Sequence, residues 1–317
     1  MKHIINKIKS RFAIIVLALL CTACVSSPDE KQPEAIEAAN SALSNGVSNY
    51  EKSKYELATT YFRNALRDFR SIDHQFGIAS SCLNLSKTYL SMGDIELADA
   101  YMKQAQRIIE QENITQLLDH LHIIESSIAI ENNQHTQAKE ILSPLLQRDT
   151  NNEFTLAAIQ NRTRISHDEM SNNREEAEQW TSKFEQTLKS SNNPSHKARL
   201  ARFRANLSDD TETQNKYFDR ALNIYRTQTN RPGIAATLQE WGNALIQKNQ
   251  NETASDKLQR ALYIRQSLHD RRNSLDILNS LAQISTDSKI KKWIEKLQNK
   301  QFNQWDAFTA AINQFPN

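Results

Sequence analysis

Between residues 36 and 298 apolar and small residues return at steps of three and four, the spacing of one face of an α-helix. In "MGDIELADAYMKQAQRII", residues 92–109, that face is Ala98, Met102 and Ala105. The same small, large, small set stands 40 residues earlier at Ala58, Phe62 and Ala65, and 40 later at Ala138, Leu142 and Leu145. Gln214, Phe218, Ala221 and Ala254, Leu258, Ala261 form another pair 40 apart, and Ala177, Thr181 and Phe184 lie between, at steps of 39 and 37. A second register agrees: Ala65, Ala221 and Ala261 are each followed 12 residues later by Gly77, Gly233 and Asn273. A fixed stride of this length is the mark of a repeat architecture.

Each copy carries an upstream segment with its own helical spacing, as in "SSCLNLSKTYLSMGD" and "ATLQEWGNALIQKNQ". The breaks "SMGD", "ENNQ", "MSNN" and "QKNQN" hold the Gly, Asn and Asp residues that turn a chain between antiparallel helices. The unit is therefore a helical hairpin, present in six copies with a shortened seventh in "SLDILNSLAQISTDSKIKKWIEKLQ". Where two helices cross closely, a small residue lets the backbones approach and a large apolar one fills the adjoining hole. One hairpin cannot bury its apolar faces alone, so stacked copies bury them for one another. The fold class expected is all-α.

The hairpin resembles the tetratricopeptide repeat family. The resemblance rests on Ala98, Met102, Ala105 and Ala254, Leu258, Ala261 in second helices, and on Leu85, Tyr89, Gly93 or Trp241, Gly242, Leu245 in first helices. The stride is nearer 40 than the family's 34, the proline closing the family's second helix is missing, and a first-helix glycine stands only at Gly46 and Gly242. The resemblance implies a right-handed α-solenoid whose first helices line a concave groove. Carried over by position, the groove residues are Leu83 and Lys87, His120 and Ile123, Arg162 and Ser166, Arg199 and Phe203, Gln239 and Asn243. "HKARLARFRANL" gathers Lys197, Arg199, Arg202 and Arg204, either a basic patch for an acidic ligand or a solvated face paired with neighbouring acids. Trp241, beside Gly242, is expected in the core.

The two ends differ from the repeat. Residues 1–23 run from a basic "MKHIINKIKSR" through ten apolar residues to "TA", a secretory signal pattern too short to span a bilayer. Its end resembles a bacterial lipobox, with Cys24 as the lipidated residue and Cys21 where leucine is usual. Ordinary cleavage after Ala23 is the alternative and would leave a soluble periplasmic protein. Val25 after the cysteine, in place of Asp, implies by the same resemblance the periplasmic face of the outer membrane. Residues 24–33 are a polar tether reaching about 30 Å, and 34–298 form the repeat domain. In 299–317 Phe302, Trp305, Phe308 and Ile312 make one apolar stripe, expected to be a capping helix.

Charge narrows the partners. Four of the 39 basic residues, Lys2, Lys7, Lys9 and Arg11, lie in the signal, which leaves 35 against 37 acidic ones. A near-neutral body argues against a nucleic-acid partner, which should keep a strong basic excess. With glycine only at 46, 77, 93, 233 and 242, no Gly-rich phosphate cradle can be written. No HExxH, Cys-pair or GxSxG pattern occurs, so no metal, cofactor or catalytic residue is assigned. Cys82 reads as a buried structural thiol, and the acids of "REEAE" at 174–178 as first-turn residues of a second helix. The expectation is a non-catalytic scaffold, lipid-anchored in the cell envelope, that binds a protein or extended peptide. A peptidoglycan-related enzyme or activator, or a peptide-sensing receptor, is the alternative.

Overall fold

The computed structural model of the protein describes residues 34–148, 152–190, 193–268 and 270–298. Among them the chain forms α-helices and two short 3-10 turns, with no strand. The helices are α1 (Glu34–Glu51), α2 (Tyr55–Ser71), α3 (Gln75–Met92), α4 (Ile95–Gln111), α5 (Leu118–Glu131), α6 (His135–Leu146) and α7 (Glu153–Asp168). They continue with α8 (Arg174–Thr187), α9 (Pro194–Leu207), α10 (Thr211–Thr227), α11 (Arg231–Gln247), α12 (Asn251–Ser267), α13 (Arg271–Ile284) and α14 (Ser288–Gln298). Consecutive helices pair into seven hairpins, each packed on the next. The fold is an all-α solenoid, as expected. The expected signal, the expected tether with Cys24 and the expected capping stripe of Phe302, Trp305, Phe308 and Ile312 fall outside the described residues.

The turns repeat as faithfully as the helices. Ser53, Gly93, Asn133 and Asn249, which join first helix to second, all have positive φ, and so do Asp73, Asn113 and Thr229 in the linkers between hairpins. Each residue after such a turn donates its N–H five residues back, as Lys54 to Asn49, Asp94 to Tyr89, Gln134 to Ala129 and Gln250 to Leu245. This closure satisfies carbonyls that a helix end leaves open. The next helix is then started by a side chain: Asp94, Asn173, Asp210, Asn230 and Asp270 each accept a backbone N–H at its first turn.

The small, large, small sets all lie buried, including the weak copy Ala177, Thr181, Phe184. Gln214, the one polar member at the first place, is accommodated because its Nε2 donates to the Ala205 carbonyl at 3.1 Å. Opposite each set the first helix offers a small buried residue: Gly46, Ser86, Ser126, Ser166, Ala205 and Gly242. A Cβ at Gly46 would lie 2.5 Å from Phe62 Cδ1, and one at Gly242 would lie 2.6 Å from Leu258 Cγ. Serine serves where its hydroxyl finds an acceptor, as Ser86 Oγ does at Ala98 O, 2.7 Å away. Cys82 is fully buried, and burial pushes its thiol up to about 11. Trp241 is half-buried between hairpins, stacked on Phe218 at 5.8 Å with Nε1 donating to Asn215 Oδ1 at 2.7 Å.

First helices also touch the first helices of neighbouring hairpins (α1 with α3, α3 with α5, α5 with α7, α9 with α11, α11 with α13), whereas second helices make no comparable contact with one another. The first helices are thus the inner layer. The curvature goes further than an open groove. Arg231, at the start of α11, pairs with Glu56 in the first turn of α2 at 3.5 Å, although 175 residues separate them. Arg272 Nη1 in α13 lies 3.9 Å from Glu131 Oε2 at the end of α5. The Gly93 turn abuts the Asp270 carboxylate, whose Cγ is 2.5 Å from where a Cβ of residue 93 would be. Hairpins one, two and three therefore meet six and seven along a seam. The solenoid closes a turn in about five hairpins, and the second turn rests on the first.

Candidate functional site

The inner wall is built by the first helices, and their side chains divide it into two regions. Toward the N-terminal end Tyr50 of α1 and Lys87 of α3 face each other, with Lys87 Nζ 4.8 Å from the Tyr50 ring centroid. Tyr50 and Ser91 share a hydrogen bond of 2.9 Å. Tyr50 also packs on Tyr55 of α2, ring centroids 5.4 Å apart. His120 of α5 is half-buried near Phe154 and is pushed down to about 4, first by burial and then by Lys87. From the second turn Arg231 reaches this end of the wall through Glu56, and both Arg199 and Arg231 favour the ionised form of Tyr55. Burial nevertheless dominates there and raises the Tyr55 hydroxyl to about 12. Arg199 also acts, after burial, to hold His196 down to about 4.

Further along, the wall is a chain of ion pairs. Arg164 Nη1 donates to Glu131 Oε1 at 2.6 Å and its Nε lies 3.9 Å from Asp168. Arg202 holds Glu240 through Nε at 3.0 Å and through Nη2, and Asn206 Nδ2 adds a third donor at 3.4 Å. Burial alone would raise the Glu131 and Glu240 carboxyls, but the guanidiniums of Arg164 and Arg202 outweigh it and keep both below the usual range. Asp168 and Asp276 are raised by burial despite Arg164 and Arg272 beside them. This region satisfies its own charges. Among the described residues no group of three or more His, Cys, Asp or Glu side chains is placed to hold a metal ion, and no helix is long and apolar enough to cross a membrane.

The residues expected in the groove are thus placed unevenly. Lys87 lies over Tyr50 and acts on His120, Arg199 acts on Tyr55, and Gln239 and Asn243 lie on α11, half-buried and exposed respectively. Arg202 is on the wall but is bound to Glu240. Arg162 is a correction: it is buried, pairs with Glu176 of α8 and lies over the Trp180 ring at 4.9 Å, so it faces its own hairpin partner. Leu83, Ser166 and Phe203 are likewise buried. Arg204 is paired with Glu185, so the run of cations in α9 does not form one patch. The acids of 174–178 do open α8, and Glu176 meets Arg162 there. Tyr50, Tyr55, Arg231 and the carboxylates Glu131 and Glu240 escaped the sequence reading.

Residues 79–112, the second hairpin, match the family described as tetratricopeptide repeat. The match covers one hairpin of the seven described. A crystal structure titled as the apo form of RapI superposes with a TM-score of 0.57 at 14% identity, covering 81% of this chain and 89% of that one. That likeness is one of fold. A tetratricopeptide repeat protein from Parabacteroides merdae ATCC 43184 aligns over 83% of this chain and 99% of its own at 12% identity, with a TM-score of 0.41. No curated protein sequence matches the chain significantly.

Proposed function

We propose that the protein is a non-catalytic scaffold that holds a protein or extended peptide along the inner wall of its solenoid, anchored in the cell envelope through a lipidated Cys24. The observation that carries the binding part is the state of the wall cations. Among the described residues neither Lys87 nor Arg199 has an ion pair, while Arg164 and Arg202 on the same wall are both paired. Unpaired cations on a curved inner surface are what a partner with hydrogen-bond acceptors would use. The anchor is supported by the pattern of residues 1–24, and the scaffold reading by the repeat at 79–112.

The test is site-specific photocrosslinking in intact envelopes from Gln239, on the first helix α11, and from exposed Lys103 on α4 as control. Capture of the same protein from Gln239 and not from Lys103 supports the reading; equal capture from both overturns it. For the anchor, an acyl mass on Cys24 and release to the soluble fraction by Cys24→Ala are expected. A wild-type chain that is soluble and carries no acyl mass refutes that part.

A further inference from the structure

The residues around Tyr50 and Tyr55 come from both turns of the superhelix. Lys87, Tyr50 and Tyr55 belong to the first two hairpins, Arg199 and Arg231 to the fifth and sixth. Lys87 lies over Tyr50, which packs on Tyr55, and Arg231 reaches the neighbouring Glu56 at 3.5 Å; Arg199 adds its charge to Tyr55, and among the described residues Glu56 is the acid paired there. That pair is weak. Both its side chains are about half exposed, at 41% and 55%, so solvent screens it and a competing carboxylate can replace it. The excess positive charge is felt locally: His120 beside Lys87 and His196 beside Arg199 are both held neutral, burial being the larger cause in each. Tyr50 adds a flat face already carrying a cation, and its hydroxyl is shared with Ser91.

We infer that this seam cluster is an anion site for an acidic segment of the peptide partner, with Lys87 contributed by the first turn and Arg199 and Arg231 by the second. The inference rests on the binding reading above and adds the ligand class. Glu56 marks where a ligand carboxylate sits, since it occupies that place on Arg231 in the free protein. A ligand carrying two or more carboxylates bridges the turns and holds the seam closed, so affinity and closure are coupled. This arrangement differs from a groove that reads its ligand with adjacent hairpins, because neither turn presents the full set of cations.

The probe is a fluorescent hexaglutamate peptide titrated into the full-length chain at low salt, with hexalysine as the opposite charge and inorganic phosphate as competitor. Hexaglutamate is expected to bind at least tenfold more tightly than hexalysine, and binding should weaken as salt rises. Lys87→Ala and Arg199→Ala should each weaken it about tenfold or more. Lys103→Ala should leave it within about twofold. Glu56→Gln, which removes the internal competitor, should strengthen binding. Hydrogen exchange on the bound protein should show added protection at both 50–56 and 229–231. Equal binding of the two peptides, equal losses in the Lys87 and Lys103 variants, or protection confined to one turn would overturn the inference. Full displacement of hexaglutamate by phosphate at equal charge concentration would also overturn it, since a peptide is then not the ligand. Continued capture of a partner from Gln239 in envelopes, with hexaglutamate unbound, would leave the scaffold reading standing and remove this site alone.

Discussion

Gly93 separates the demand of a turn from the demand of the seam. Ser53, Asn133 and Asn249 hold the equivalent place in other hairpins with φ of 57°, 58° and 57°, so the left-handed backbone does not by itself require glycine. What distinguishes residue 93 is Asp270, whose Cγ would lie 2.5 Å from an added Cβ. Asp270 cannot swing away cheaply. It is 1% exposed, receives Arg265 Nη1 at 2.8 Å and Asn273 Nδ2 at 2.9 Å, and caps α13 through Asn273 N at 3.1 Å. Breaking a buried pair of that kind costs about 3–5 kcal/mol, more than the roughly 1–3 kcal/mol typical of an overpacked contact. Gly93→Asn, which meets the φ requirement, should therefore part the seam while α13 stays folded. The expected loss is about 1–3 kcal/mol in urea unfolding, and Gly93→Ala should lose about 1–2 kcal/mol more for its strained backbone. Hydrogen exchange should quicken at 91–95 and at 229–231, and small-angle scattering should report a longer particle. If Gly93→Asn matched the wild type in stability, exchange and scattering, the seam would not be a contact of the protein in solution.

Gly242→Ala gains about 1 kcal/mol of helix propensity, yet its Cβ would sit 2.6 Å from Leu258 Cγ and 3.3 Å from the Ala254 carbonyl. A net loss of about 1–2 kcal/mol in thermal or urea unfolding is expected, and a net gain would contradict the packing described. His120, His167 and His196 are each pushed down to about 4, burial being the first cause. Unfolded histidines titrate near 6.5, so the unfolded chain binds more protons between those values. Stability should then rise with pH through that window and fall on acidification, by up to about 1.4 kcal/mol per pH unit per histidine. Asp168, Asp270 and Asp276, raised by burial, act in the opposite sense near the carboxylate range, so the slope is best read between about pH 5 and 6.5. Replacing His120 and His196 by Gln should flatten it, and an unchanged slope would show that neither is buried neutral. Cys82, with its thiol raised to about 11, should resist alkylation in the native protein at pH 8 and react in denaturant, as followed by mass spectrometry; rapid native labelling at this residue would place it at the surface.

The repeat was legible because it is local. Ala98, Met102 and Ala105 show their face within eight residues, and the copies at 58, 138 and 254 show the stride. Even Thr181 and Gln214, poor matches by type, occupy buried places because their own side chains bond to Ala177 O and Ala205 O. The first-helix position was half legible: glycine at 46 and 242 stood out, whereas Ser86, Ser126 and Ser166 do the same work unnoticed. The wall was harder. Arg162 and Arg164 are two residues apart, and a rotation of the helix by that amount exchanges an inward residue for one facing the partner helix. Arg202 stood out in the sequence as a cation, but its neutralisation by Glu240, 38 residues on, needs the packing of α9 against α11. The seam was not legible at all. It depends on a small rotation per hairpin summed over about five hairpins, and no spacing within one hairpin records that sum.

Because the last hairpins lie on the first ones, this chain is not a rod that can be cut to length. Removing residues beyond 268 would strip Gly93 of Asp270 and Glu131 of Arg272, exposing hairpins two and three as well. Damage at either extremity is thus shared by both, and the whole run of hairpins should melt as one body, unlike a row of units that fray one by one.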